Sequence, residues 1–574
     1  MGISKKLKTF LASQNKVTEI SFNSKKDYKD PFNEIELDIV FSGPKGEKIK
    51  IPAFWAGKNM WKVRFSSPHI GEYEFKPICS DRGNKSLNDI EGKVIVSRYK
   101  GKNKLYRHGP LKVSKNNKYM EHLDGTPFLW LADTWWHGFT DRVKWPGEYK
   151  MLVRDRAKKS FNVIQIVAGF YYDDNKLNSF GKNEGGWPWD LENKIINPAF
   201  FDSADLRINS FVDNGIVPCV FGAWGWHLHF QGVKLMKKHW RYIIARWGAY
   251  PVVWSVAGET RLPYPLEDPA RQKNIKMKEK LQKGWNEVAK YIKKIDPYRR
   301  LVTTHPSPGD GSWNSNDILD DPLIDINMLQ TGHWDVNSFK MTFRILHRAL
   351  KLKPKKPVFN GEVCYEGIFG SSWANTQRFL FWTHMLSGTA GHTYGTTGVE
   401  GFVVEKIKDL YPKRTDSYYI LEWGDYTWKE GYKFLGSYHL GIAKKFLEQF
   451  SWYKFEPHPE WVEPHSDKNN WQKPYAAGIP GKVRIIYFPP IYLNNPEDLF
   501  TFKSIKILNI EKDTRYISYF FNPRTGEKLK KMKVIPDSKG VWKIFGGKVV
   551  GYPNMEDWVL VMENIKSIKK ENKN

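Results

Sequence analysis

The sequence predicts an α/β protein, a (β/α)8 TIM barrel set between two β-sandwich domains. Short apolar runs alternate with helix-length segments through the middle of the chain, eight runs in all, the pattern of a parallel sheet covered on both faces. Both ends instead carry short strands separated by Gly, Pro and Asn. Polar and aromatic residues gather where each central run ends, while the runs stay apolar. At ~150 residues per domain the 574 residues would make three to four domains, fewer if one is a barrel, which takes roughly 250 residues or more. The expected division is 1–104, 105–462 and 463–574.

The first segment alternates in Glu34–Phe41, turns at Gly43-Pro-Lys-Gly, and continues as strands around Ile51–Trp55, Trp61–Phe65 and Gly71–Phe75. The barrel strands are expected at Phe128–Ala132, Asn162–Val167, Ile216–Phe221, Val252–Val256, Leu301–Thr304, Ile324–Leu329, Pro357–Asn360 and Ala390–Tyr394. Helices are expected at 148–159, 201–214, 233–246, 276–295, 338–350 and 375–386, with a closing helix over 429–450. Only the link between strands five and six, around Asn316–Asp321, is too short for a helix. A doubly wound sheet would need a Gly-rich phosphate turn after its first strand, and Ala132-Asp-Thr-Trp-Trp is not one. Strands return at Lys482–Phe488, Thr514–Phe521 and Trp558–Met562, before a Lys/Asn-rich tail read as disordered after about Ile565.

With 41% hydrophobic and 26% charged residues, the composition excludes a disordered or collagen-like chain. No run of ~18 apolar residues offers a membrane span. The net charge of +28 is spread along the chain as scattered lysine pairs, with no basic helix or RNA-binding aromatic motif, so it reads as a solvated surface and not a nucleic-acid site. Three distant cysteines form neither a disulfide framework nor a zinc spacing. His227-Leu-His229 has no acidic residue at ligand spacing, so neither a metal nor another cofactor is expected. The apolar stretch Phe10-Leu-Ala is too short for a signal peptide, which implies a cytoplasmic chain, or a secreted or periplasmic one whose leader has been removed. Nothing in the pattern sets an oligomeric state.

In a (β/α)8 barrel the functional site lies at the carboxyl ends of the strands, where the βα loops converge. Those ends supply Asp133, Trp135 and Trp136 after strand one, Gln165 on strand two, and Trp224 and His227 after strand three. Glu259 and Arg261 follow strand four and His305 strand five. Gln330 and His333 close strand six, Glu362 and Tyr365 strand seven, and Tyr394 strand eight. Glu259 and Glu362 stand on strands nearly opposite across the mouth. Cleavage of a glycosidic bond needs one protonated carboxyl for the leaving oxygen and one carboxylate on the other face, so Glu259 is expected as acid/base and Glu362 as nucleophile. The other twelve are expected to contact substrate, the tryptophans by stacking on a sugar face. Two long loops, 169–198 and 260–272, would narrow the mouth into a pocket and favour exo action, or else pack against the sandwiches.

Several segments resemble the apiosidase-like glycoside hydrolase barrel family: Leu111-Lys-Val-Ser with Asp124-Gly-Thr-Pro-Phe-Leu-Trp-Leu-Ala-Asp-Thr-Trp-Trp, then Phe161-Asn-Val-Ile-Gln, His305-Pro-Ser, Asn327-Met-Leu-Gln-Thr-Gly-His and Pro357-Val-Phe-Asn-Gly-Glu-Val-Cys-Tyr-Glu. Phe54-Trp55 with Trp61-Lys-Val-Arg-Phe and Pro68-His-Ile-Gly-Glu-Tyr resembles the sandwich that precedes such barrels, and Asn522-Pro-Arg-Thr-Gly-Glu with Asp557-Trp558 the accessory sandwich that follows. The resemblance spans nearly the whole chain and is most specific at strand one. It implies a retaining glycoside hydrolase acting on a polysaccharide or oligosaccharide, with Glu259 and Glu362 in the two catalytic positions. One position departs: Ala257-Gly258-Glu259 stands where the family usually has Gly-Gly-Asp. A non-catalytic carbohydrate-binding protein on an inactive barrel is the alternative.

Overall fold

The computed structural model describes residues 8–172, 181–263, 274–308, 311–406, 425–490, 505–544 and 556–566. Eight parallel strands form the central sheet: Trp130–Thr134, Val163–Val167, Val217–Phe221, Val253–Ser255, Val302–Thr303, Asn327–Gln330, Val358–Glu362 and Gly391–Tyr394. Strand one pairs with both two and eight, and the order runs five-four-three-two-one-eight-seven-six. Strands five and six meet without a ladder, and Ser315 bridges the seam. Its hydroxyl donates to Thr304 O at 2.7 Å and accepts from Met328 N at 3.0 Å.

Helices follow the strands at Gly147–Lys158, Pro198–Asp213, His227–Trp247, Ile275–Ile295, Val336–Lys351 and Ala374–Leu386, and Leu435–Leu447 closes the ring. The second starts three residues before its expected position because Asn197 caps Ala199 N at 3.1 Å and Pro198 fits the first turn. Strand one starts two residues late. Pro127–Phe128 joins a small antiparallel sheet with Met120–His122 instead, and the uniformly apolar run Phe128–Ala132 carries no mark of that break.

At the amino end a five-stranded and a three-stranded sheet enclose Ile20, Phe22, Ile39, Phe41, Trp61 and Val63. At the carboxyl end a six-stranded and a three-stranded sheet share a core that includes Trp461, Ile486, Ile507, Phe520, Trp542 and Leu560. The tail beyond 566 lies outside the described residues.

A buried ion-pair latch fastens each flank to the barrel. Arg64 of the first sandwich donates to both carboxylate oxygens of Asp205, which also accepts from Arg246 and from Trp247 Nε1 at 2.7 Å. On the other side, Arg378 of a barrel helix forks onto Asp557 at 2.8 and 2.9 Å. Arg524, in the Asn522-Pro-Arg-Thr-Gly-Glu turn, donates to the same carboxylate at 2.9 Å. Among the described residues no helix is long and apolar enough to cross a membrane.

Burial alone would raise the Asp205 carboxyl, but Arg246 and Arg64 hold it well below the ordinary value. Its stabilisation is therefore complete at neutral pH and is lost only in strong acid, as pH falls through the depressed value. Asp205→Ala removes the buried carboxylate that Arg64 and Arg246 share, leaving them only the more exposed Glu19 and Asp202, and should cost about 3 kcal/mol in urea-induced unfolding at pH 7.

Candidate active site

Glu259 lies four residues beyond strand four with φ +37°, a left-handed conformation that costs a non-glycine residue strain and recurs at functional sites. Gly258 before it has no side chain for a physical reason: a Cβ there would sit 2.3 Å from the Trp224 indole. Trp224 therefore lies flat against the backbone, and its Nε1 is 3.4 Å from Glu259 Oε2. Glu259 Oε1 accepts from Ser307 Oγ at 3.0 Å and from Gln330 Nε2 at 3.2 Å.

Glu362 ends strand seven. His333 Nε2 is 2.8 Å and Gln330 Nε2 2.9 Å from its Oε1, while His305 Nε2 lies 3.3 Å from Oε2. One amide nitrogen thus stands between the two carboxyl groups, 3.2 Å from one oxygen and 2.9 Å from the other, so those oxygens are no more than about 6.1 Å apart. Tyr365 accepts from Trp136 Nε1 at 3.0 Å, and its ring centre is 4.7 Å from that of His333. Trp136 also packs edge-on against Trp224 and His305.

Glu259 is 9% exposed and Glu362 5%, so neither charge is well solvated. Burial raises Glu259, and the negative charge of Glu362 raises it further, against weaker pulls from His305, Gln330 and Ser307. Burial would raise Glu362 too, but the His305 and His333 contacts outweigh it and hold this carboxyl well below its usual range. The pair is asymmetric: one carboxyl favours its proton, the other its charge.

Of the fourteen residues expected at the site, Glu259, Glu362, Trp136, Trp224, His305, Gln330, His333 and Tyr365 come together here. Six do not. Asp133 is fully buried and its oxygens are taken by Thr134 N, Trp135 Nε1 and Arg156, so it anchors the first loop. Trp135 turns outward onto Tyr149 and Phe211 of the helical layer. Gln165 lies inside the barrel, donating to Gly361 O at 3.0 Å and accepting from Thr393. His227 bonds Tyr171 O at 2.8 Å and stacks on Trp226. Arg261 reaches towards Gln282 and Asp317 O, each at 3.4 Å, away from both carboxyls. Tyr394 points out of the barrel and donates to Glu366 at 2.6 Å. Strand-end position alone could not tell inward from outward side chains.

Ser307 was legible only as the serine of His305-Pro-Ser, and Glu400, six residues beyond strand eight, had no sequence signal. Trp334, 62% exposed beside His333, stacks on Phe369 with ring planes 5° apart and forms an outer aromatic shelf. Of the two long loops, residues 173–180 of the first and 264–272 of the second lie outside the described residues. Trp189 of the first packs on Phe32 of the amino-terminal flank, so this stretch is interface. Among the described residues no cluster of His, Cys, Asp and Glu is arranged to hold a metal ion.

Residues 114–454 match the family described as "Apiosidase-like, catalytic domain", and residues 12–80 match a domain of unknown function, DUF5060. No curated protein matches the chain. Among solved structures, a putative glycoside hydrolase from Bacteroides vulgatus ATCC 8482 is similar over 97% of this chain and 100% of its own, at 18% identity and TM-score 0.67. A glycoside hydrolase family 5 protein from the same organism is similar over 80% of this chain and 94% of its own, at 18% identity and TM-score 0.58. A third structure, named only as a glycoside hydrolase, matches over 80% of this chain and 98% of its own, at 19% identity and TM-score 0.58. These likenesses show a shared fold.

Replacing Glu362 with Gln removes the charge that helps raise Glu259. The Glu259 carboxyl should then titrate at lower pH, read from its infrared carboxyl band; an unchanged titration would mean that burial alone sets it.

Proposed function

The chain belongs to the apiosidase-like family and is a glycosidase, and on that premise we propose that it cleaves carbohydrate chains from their ends by a retaining double displacement on Glu259 and Glu362. The single observation that carries the reading is the shared Gln330 nitrogen, which keeps the facing carboxyl oxygens within about 6.1 Å. Retaining enzymes space their carboxyls at ~5–5.5 Å, whereas inverting enzymes need ~6.5–9.5 Å to admit a water molecule.

Glu362, held ionised by His305 and His333, attacks the anomeric carbon as Glu259 passes its proton to the departing oxygen. Glu259, now a carboxylate, takes a proton from water, and the resulting hydroxide displaces Glu362 from the sugar. Glu259 gives up one proton in the first half-reaction and regains one in the second, the bond between Glu362 and the sugar forms in the first and breaks in the second, and the enzyme returns to its starting state. The deep burial of both carboxyls supports action at a chain end, since an open groove would leave them more accessible. Trp136 and Trp224, packed edge-on against each other, wall the space beside the pair. The Glu at position 259 carries its proton roughly one bond length further than the family's usual Asp, which supports a sugar or leaving group different from the family's.

A panel of nitrophenyl glycosides, apioside included, should reveal turnover that Glu362→Gln abolishes. The first product seen by proton NMR should keep the anomeric configuration of the substrate; an inverted product would rule out the double displacement. Glu259→Ala should lower kcat/KM by about 10²–10⁴ on substrates with poor leaving groups and far less on activated aryl glycosides. Equal losses on both would show that another group delivers the proton.

A further inference from the structure

We propose that Glu400, on the loop after strand eight, is a third acidic residue of the pocket and binds a hydroxyl of the substrate sugar through its Oε2. The inference rests on the glycosidase reading and extends it to substrate recognition. Trp136 N donates to Glu400 O at 2.7 Å, so the residue whose indole walls the carboxyl pair also pins this loop at the same rim. Glu400 is 6% exposed, as buried as the two carboxyls of the pair, and its Oε2 is buried with no hydrogen-bond partner among the described residues. A buried oxygen of this kind is costly unless a ligand group meets it.

Burial first, and then the neighbouring groups, set its protonation state. Glu362 and the Tyr365 hydroxyl face it from strand seven. From the loop after strand one, Arg142 spends Nη1 on Gly401 O at 2.6 Å. From the loop after strand two, the Tyr172 hydroxyl lies against Gly401. Burial pushes the Glu400 carboxyl up to about 8 with a contribution from Glu362, against the backbone N–H groups of residues 400, 401 and 398. At neutral pH the group is a neutral O–H donor, which grips a hydroxyl without adding a second negative charge beside Glu362.

The test uses the full chain and the nitrophenyl glycoside that it turns over fastest. Glu400→Ala should lower kcat/KM about 10- to 100-fold, mainly through KM, while Glu400→Gln, which keeps the size and an N–H donor, should stay within about fivefold of wild type. Wild-type KM should rise as pH passes about 8, and the KM of Glu400→Gln should stay flat; the fall in kcat as Glu259 loses its proton is common to both. The inference is overturned if Glu400→Ala stays within about twofold of wild type, or if the Gln variant loses as much as Ala with the pH dependence of KM unmoved. If instead the wild-type chain turns over no glycoside, the hydrolase reading fails and takes the inference with it.

Discussion

Two carboxyl groups buried within about 6 Å of each other cannot both carry a charge cheaply. The site is built around that repulsion. Gln330 supplies an N–H to both groups and so fixes their separation. His305 and His333 approach Glu362 from two sides and stabilise its charge, while Glu259 has only neutral donors beyond the more distant His305. The asymmetry between the two carboxyls therefore comes from which neighbours each group has, since both are glutamates at the same rim and both are buried.

That arrangement needs the rim held tightly. Gly258 lets the Trp224 indole lie against the backbone, and Gly395 does the same for the Tyr365 ring, where a Cβ would come within 2.2 Å. Trp136 then ties Trp224, Tyr365 and His305 into one wall. The two sandwiches contribute at a distance. Each grips an outer helix of the barrel through an aspartate shared by two arginines, so the helices that buttress the sheet are themselves braced. The Asn522-Pro-Arg-Thr-Gly-Glu turn, conspicuous in the sequence, acts through Arg524 in the second of these latches.

The fold was largely legible because its signal is repeated. Eight apolar runs with helices between them fall close to the observed strands, and the one link expected to lack a full helix contains, among the described residues, short 3-10 turns at 315–317 and 321–323. The sandwich edges were less so: Lys8–Ser13 and Gly92–Ser97 pair in parallel across the length of the first domain, a contact that no local alternation marks. At the site, the residues found were those in line with a strand end. Asp133, Trp135 and Tyr394 satisfied that rule yet face outward or into the barrel wall, because one step along a strand turns the side chain to the other face.

The sequence by itself determined the order of elements, the rim where polar and aromatic residues gather and the two glutamates that meet there. These follow from hydrophobic period and from where polar residues interrupt it, both of which are local properties. Tertiary structure alone decided which of the crowded rim residues touch those glutamates, that one glutamine spans the pair, and that Glu400 comes within reach of the Glu362 charge. The reason is physical: charge and protonation depend on burial and on neighbours 29 to 71 residues away along the chain, and only the closed barrel brings those neighbours within a few ångströms.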